Sequence, residues 1–64
     1  MIKVNGEEFQ VSEMRLIDFL TEHGYTQGRI AVECNEEIVP KAQHESFVLH
    51  DKDVVEIVSL VGGG

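Results

Sequence analysis

One segment of the 64-residue chain has the spacing of an amphipathic helix, and the other apolar segments are short and strand-like. Its apolar stripe is formed by four side chains: Leu16, Ile17, Phe19 and Leu20. We predict that Ser12 caps this helix, with Glu13 in the first turn, and that Gly24 ends it in the left-handed conformation. Because no second helix covers the stripe, the strands must form the surface on which it packs.

The first two strands are predicted to form a hairpin. Residues 1–4 alternate between apolar and polar side chains, and residues 9–11 resume the alternation. Asn5-Gly6, between them, is the strongest short signal for a tight turn. The predicted buried face of the hairpin consists of four side chains: Ile2, Val4, Phe9 and Val11.

Three more strands are predicted after the helix, at residues 30–34, 38–39 and 54–60. Pro40 closes the short strand at 38–39 and suits the edge of a sheet, because proline cannot donate to a ladder. The stretch 41–53 is polar apart from Phe47 to Leu49, which fits either one helical turn or a short strand.

This order of elements predicts an α+β fold. We expect the first and last strands to be neighbours at the centre of a small mixed sheet, with the one main helix packed across one face. This is the β-grasp, or ubiquitin-like, arrangement. Residues 1–61 are expected to form the domain, and residues 62–64 a flexible C-terminal glycine tail.

The last strand is predicted to have aliphatic side chains on both of its faces. Val55 and Ile57 alternate with Val54, Val58 and Leu60, and one helix covers one face of a sheet. A clustered exposed apolar surface usually marks binding. We therefore predict that Val58 and Leu60 contact a partner protein.

The charge of the chain limits the kinds of partner. Twelve acidic and five basic residues give a formal net charge of −7, which argues against nucleic acid and favours steering toward a basic partner. No apolar run is long enough to span a membrane, and the first residues do not resemble a signal peptide. We expect a cytoplasmic location.

Few residues within the domain are candidates for chemistry. His23, His44 and His50 lack the spacing of a metal pair and are expected at the surface. Cys34 is the single cysteine, which excludes a four-cysteine iron–sulfur cluster. We expect a buried, unreactive thiol, the alternative being a mixed-disulfide or thioester site. No metal site, cofactor or catalytic group is predicted, and a chain this short is not expected to be an enzyme.

The three glycines at the end of the sequence follow directly on the last predicted strand. Gly62, Gly63 and Gly64 have no Cβ, so a tail of this kind fits a slot too narrow for side chains. The carboxylate of Gly64 is a poor electrophile until another enzyme activates it. The alternative is a frayed end without function.

The sequence resembles the thiamine-biosynthesis sulfur carrier proteins of the ThiS family over essentially its whole length. The resemblance rests on MIKVNGE at 1–7, LIDFL at 16–20 continuing to Gly24-Tyr25, IAVECN at 30–35, IVP at 38–40 and DVVEIV at 53–58 before the glycines. Family members often carry an aromatic residue soon after the proline, where this chain has Gln43-His44. Cys34 is not part of the family's chemistry.

The resemblance implies a cycle of modification at Gly64. An E1-like adenylyltransferase of the ThiF type would convert its carboxylate to an acyl-adenylate, and a sulfur donor protein would convert that to a thiocarboxylate. A thiazole synthase of the ThiG type would then use the sulfur to build the thiazole ring of thiamine. Gly62 and Gly63 would give the tail access to both active sites.

Three other functions share parts of this pattern. The same carrier chemistry serves molybdopterin synthase, and a diglycine end also occurs in ubiquitin-like modifiers that are joined to lysines. A non-covalent β-grasp interaction domain would need no tail chemistry at all.

Overall fold

The computed structural model describes residues 1–60, so the predictions for Val61 and for the tail at 62–64 lie outside the described residues. Seven strands and one α-helix follow one another along the chain: β1 Ile2–Val4, β2 Glu7–Phe9, β3 Glu13–Arg15, α1 Leu16–Glu22, β4 Ile30–Cys34, β5 Glu37–Val39, β6 Val48–His50 and β7 Val54–Ser59. Single 3₁₀ turns lie at Gln27–Arg29 and Lys41–Gln43.

Five of the strands form one mixed sheet in the order β2-β1-β7-β4-β5. β1 and β7 are parallel neighbours, and the other pairs in this sheet are antiparallel. The core lies between this sheet and α1, and its buried apolar side chains are Ile2, Val4, Leu16, Phe19, Leu20, Val32, Cys34, Val39, Leu49, Val55 and Ile57. The predicted α+β fold, with the first and last strands adjacent and one helix across one face, is confirmed.

The hairpin at Asn5-Gly6 is also confirmed, because both residues have positive φ angles of 51° and 84°. This pair of angles is typical of the two-residue turns that match the twist of antiparallel strands. The return strand starts directly after the turn, at Glu7, two residues earlier than predicted.

The end of α1 has the geometry that the sequence predicts. Gly24 has a φ of 78° and donates its N–H to the carbonyl of Thr21, and Tyr25 donates to the carbonyl of Leu20. Together these bonds form the Schellman motif, which satisfies carbonyls that have no partner inside the helix.

The predicted start of the helix is wrong. Glu13 to Arg15 form β3 and pair with β6 in a separate two-stranded sheet, so the helix begins at Leu16 with no side-chain cap. The backbone N–H of Leu16 donates to the carbonyl of Phe47, and the carbonyl of Ser12 accepts from Asp51. Ser12 therefore lies just before β3 and accepts a backbone bond from Asp51 instead of capping the helix. Of the two structures predicted for 47–49, the strand is the one that forms, at Val48–His50.

The surface position predicted for His44 is also wrong, whereas His23 and His50 are exposed. His44 is 1% exposed, because the 3₁₀ turn after Pro40 directs it inward and its Nε2 donates to the carbonyl of Val39 at 3.0 Å. Its Nδ1 is buried without a partner in the described part of the chain.

Candidate functional site: the last strand and the free face of the sheet

β7 is held on both sides by neighbouring strands. It pairs with β1 in parallel at Lys3↔Val54 and Val4↔Val55. On the other side it pairs with β4 in antiparallel orientation, from Cys34↔Val55 to Ile30↔Ser59. The strand that leads to the terminal glycines is therefore the central strand of the main sheet.

The side chain of Asn5 extends the pairing of β7 beyond the end of β1. Its Oδ1 accepts the N–H of Ile57 at 2.8 Å, and its Nδ2 donates to the carbonyl of the same residue at 3.1 Å. The amide therefore acts as one additional peptide unit in the parallel ladder.

A second asparagine bonds the first residue of β7. Asn35 has a φ of 53°, and its Oδ1 accepts the N–H of Val54 at 3.0 Å. Its Nδ2 donates to the carboxylate of Asp53 at 3.0 Å. Both asparagines thus use a turn conformation that is uncommon for other side chains to bring an amide to the last strand.

The backbone stays anchored up to the last described residue. The N–H of Leu60 donates to the carbonyl of Arg29 at 2.8 Å, one residue after β7 ends. The predicted strand end at Leu60 is therefore too late by one residue. Gly64, the residue predicted to be modified, and Gly62 and Gly63, predicted to give it access to active sites, lie outside the described residues.

Exposed aliphatic side chains lie on the face of the sheet opposite α1 and directly after β7, with Glu56 between Val54 and Val58 along the strand. We call the set Ile38, Val54, Val58 and Leu60 the apolar patch; their exposed fractions are 63%, 49%, 56% and 64%. Val58 and Leu60, the residues predicted to contact a partner, lie in it. Ile38 was missed, because alternation in a strand of three residues does not indicate which side faces the helix.

Acidic side chains lie beside the apolar patch. Glu33 and Glu56 are direct partners in the register of β4 and β7, and Glu33 also lies opposite Ile38 of β5. A surface depression of about 410 Å³ opens here, lined by Glu33, Asn35, Glu36, Val54 and Glu56. We call this depression the acidic socket.

Cys34 lies on the opposite, helix-facing side of the sheet and is buried. Burial raises the pKa of its thiol to about 11, and the nearby carboxylate of Asp53 acts in the same direction. The predicted burial of Cys34 is confirmed, and the raised pKa favours the protonated thiol over the nucleophilic thiolate.

Within residues 1–60, no three metal-ligating side chains lie together in a way that would hold an ion. The longest described helix, α1, is too short to cross a membrane.

Comparison with known proteins identifies relatives over the full length of the chain. The sequence profile of the ThiS family matches residues 2–64. The sulfur carrier protein ThiS of Bacillus subtilis is 33% identical over 66 residues, covering 100% of both chains. An uncharacterized protein ycf40 of Porphyra purpurea is 39% identical over 64 residues, covering 98% of this chain and 90% of that protein.

A longer protein and a solved structure are also similar to this chain. A thiazole synthase of Paramagnetospirillum magneticum is 40% identical over 62 residues, which are 95% of this chain and 19% of the synthase. The crystal structure of a thiamine biosynthesis protein (ThiS) from Geobacter metallireducens superposes with a TM-score of 0.77 at 24% identity, covering 98% of this chain and 97% of that one. This last likeness shows a shared fold.

Proposed function

Because the chain belongs to the ThiS family of ubiquitin-like sulfur carriers in thiamine biosynthesis, we propose that it carries sulfur as a thiocarboxylate on Gly64. The observation that carries the proposal is the family match, which extends through the terminal glycine. The chain is then a protein co-substrate of other enzymes and does not catalyse the reaction itself.

The first step makes the carboxylate an electrophile. An E1-like, ATP-dependent adenylyltransferase of the ThiF type lets an oxygen of Gly64 attack the α-phosphorus of ATP, and pyrophosphate leaves. The product is a mixed anhydride between Gly64 and AMP. A glycine tail suits this step, because no side chain blocks the approach of the carboxylate to the nucleotide.

The second step exchanges AMP for sulfur. A sulfur nucleophile on a donor protein attacks the acyl carbon and AMP leaves. If the donor is a persulfide, two electrons from a further thiol cleave the sulfur–sulfur bond and release the thiocarboxylate. We assign these steps to the cytoplasm, because thiols stay reduced there.

The third step delivers the sulfur to a thiazole synthase of the ThiG type. The thiocarboxylate sulfur bonds to a carbon of the thiazole precursor, and hydrolysis of the acyl group returns the carboxylate of Gly64. Support comes from the synthase of Paramagnetospirillum magneticum, which carries a segment similar to this chain within one longer polypeptide. Two sequences joined in one polypeptide often act in the same reaction.

We assign the recognition of the partner enzymes to the folded domain. The apolar patch, which includes Val58 and Leu60, precedes the tail and offers aliphatic surface to an enzyme. Binding energy from such remote contacts positions the carboxylate for reaction. Anchoring of β7 by Asn5, Asn35 and two strands keeps the base of the tail at a fixed place.

The proposal is tested by loading with sulfur in vitro. The chain is incubated with the activating enzyme, ATP and a sulfur source, and its intact mass should rise by the difference between sulfur and oxygen. Gly64→Ala should load at least about tenfold more slowly, a barrier increase of about 1.4 kcal/mol, because a methyl group then stands beside the reacting carboxylate.

Gly28→Ala is the matched control for this substitution. An added Cβ at Gly28 meets no atom closer than the flexible Nζ of Lys41 at 3.4 Å, so the variant should load as fast as the wild type. Equal rates for Gly64→Ala and Gly28→Ala would contradict the proposal.

A further inference from the structure

The turn between β1 and β2 contains the side-chain amide that is most open to chemical attack in this chain. In a flexible peptide, the backbone nitrogen after an asparagine attacks the side-chain Cγ, and a glycine at that position hinders the attack least because it has no Cβ. Asn5 is followed by Gly6, whereas Asn35, the second asparagine of the sequence, is followed by Glu36. Asn5-Gly6 is therefore the pair at which spontaneous deamidation is expected first.

The fold places this reactive side chain in the ladder of β7. The backbone N–H of Asn5 donates to the carbonyl of Val55 at 2.9 Å. Its Oδ1 accepts the N–H of Ile57 at 2.8 Å, and its Nδ2 donates to the carbonyl of Ile57 at 3.1 Å. Three hydrogen bonds thus join Asn5 to the central strand, and both side-chain bonds are partly buried.

Deamidation is incompatible with the two side-chain bonds. Attack by the Gly6 nitrogen makes Cγ tetrahedral, so the carboxamide is no longer planar and no longer matches the peptide groups of Ile57. Nδ2 then has to be protonated and leave as ammonia, which removes the donor to the Ile57 carbonyl. Because a partly buried carbonyl would lose its partner, the folded state raises the barrier to the reaction.

We propose that Asn5 is a deamidation site that is protected while it bonds to β7 and reacts when β7 separates from it. In the open state the Gly6 nitrogen forms a bond to Cγ and loses its proton, the bond from Cγ to Nδ2 breaks, and ammonia leaves. Water then opens the resulting succinimide ring at one of its two carbonyl carbons, giving aspartate or isoaspartate at position 5. The net reaction consumes water and releases ammonia, without oxidation or reduction.

Deamidation changes what the residue at position 5 can bind. An aspartate carboxylate accepts the N–H of Ile57 but has no donor for the Ile57 carbonyl, so two oxygens face each other. An isoaspartate adds one carbon to the backbone of a turn whose φ angles of 51° and 84° fit a two-residue hairpin. Neither product restores the original ladder, so the chain permanently records the openings of β7 in which Asn5 reacts.

The test uses the isolated 64-residue chain, so its outcome is independent of the proposed function. The chain is incubated at mildly alkaline pH, folded in buffer or unfolded in guanidinium chloride, and deamidation at each asparagine is measured by mass spectrometry of peptides. Asn5 should react at least about tenfold more slowly in the folded chain, because just the open fraction reacts. In the unfolded chain Asn5 should react before Asn35, the internal control. Equal rates for Asn5 in the two states, or a faster reaction at Asn35 in the unfolded chain, would overturn the proposal.

A second measurement identifies the opening that exposes Asn5. Denaturant is increased in steps below the unfolding transition, and hydrogen exchange of the Ile57 amide is followed beside deamidation of Asn5. Both rates should rise by the same factor at each step, because one separation of β7 from Asn5 permits both. A deamidation rate that stays constant while the exchange of Ile57 accelerates would place the reaction in the folded state and overturn the proposal.

Asn5→Asp reproduces one product without the reaction. Its thermal midpoint should fall by at least about 6 °C, because a carboxylate oxygen faces the Ile57 carbonyl to which the amide donated. Gln43→Glu is the control, since it makes the same change from amide to carboxylate at an exposed position whose side chain forms no described hydrogen bond. Its midpoint should change by less than about 3 °C. An equal loss in both variants would assign the effect to added negative charge and overturn the proposal.

Discussion

At the scale of single residues, the chain separates its one thiol from the place where we propose that sulfur is carried. Cys34 points into the core between sheet and helix, where burial and the carboxylate of Asp53 raise its pKa to about 11. A protonated, inaccessible thiol neither attacks an acyl-adenylate nor exchanges with a persulfide. Cys34 therefore does not compete with the terminal carboxylate that we propose carries the sulfur.

The raised pKa of Cys34 predicts how stability depends on alkaline pH. A pKa raised by folding contributes stability that is fully present below the unfolded value of about 8.5 and is lost as the pH rises through about 11. The free energy of unfolding, compared with that of Cys34→Val, should fall by up to about 3 kcal/mol across this range. The comparison subtracts the other groups that titrate there, and a constant difference between the two proteins would contradict the prediction.

Residue type alone predicted the burial of Cys34 correctly and placed His44 at the surface incorrectly, and the difference has a physical reason. Cysteine is a small apolar residue that is usually buried, so its place in a strand decided the outcome. His44 is buried because of the 3₁₀ turn before it and the carbonyl of Val39, which accepts from its Nε2. Neither feature can be read from the polar stretch that surrounds it. The family resemblance could have indicated that His44 is buried, because family members often carry an aromatic residue near this position.

At the scale of elements, the last strand depends on groups far from it in sequence. Its N–H and carbonyl groups at Ile57 bond to Asn5, 52 residues earlier. The same long-range pairing explains the wrong helix start, because β6 recruits Glu13 to Arg15 into a strand. A serine followed by an acid is a local signal, and tertiary pairing overrides local signals of this size.

Replacement of Asn5 by glycine should loosen β7. Glycine adopts the φ of 51° without strain, so the variant loses just the two side-chain bonds to Ile57. The free energy of unfolding should fall by about 1–3 kcal/mol, and the amide of Ile57 should exchange with solvent faster. Denaturant titration and hydrogen exchange measure the two effects.

Glu36→Gly is the control for the Asn5 variant. Glu36 also has a positive φ, 71°, in a two-residue turn, and its side chain forms no described hydrogen bond. Glycine should therefore leave stability unchanged or raise it, because a strained backbone is relieved. If Asn5→Gly retained the slow exchange of the Ile57 amide, the role of Asn5 as an extension of the ladder would be wrong.

At the scale of the whole molecule, the fold determines which residues are free to meet a partner. Alternation along the last strand predicted two aliphatic sets, and the α+β pattern predicted that one helix covers one of them. The sheet order then assigns Val55 and Ile57 to the core and Val54, Val58 and Leu60 to the free face. The acidic socket could not be predicted, because Glu33 and Glu56 become neighbours through a strand register that no local pattern specifies.

The two faces of the main sheet differ in what they contact. The helix and one face of the sheet stabilise the domain, and the other face, with its apolar patch and acidic socket, is available for recognition. The central strand ends at Ser59, five residues before the terminal carboxylate that we propose is charged with sulfur.

Transfer of labelled sulfur tests the central claim most directly. The chain is loaded with heavy-isotope sulfur, purified, and supplied to the thiazole synthase and its substrates as the sole sulfur source. The account predicts that the label appears in the thiazole ring and that the intact mass of the chain returns to that of the carboxylate. An unlabelled ring, or equal labelling from a chain that lacks Gly63-Gly64, would contradict it.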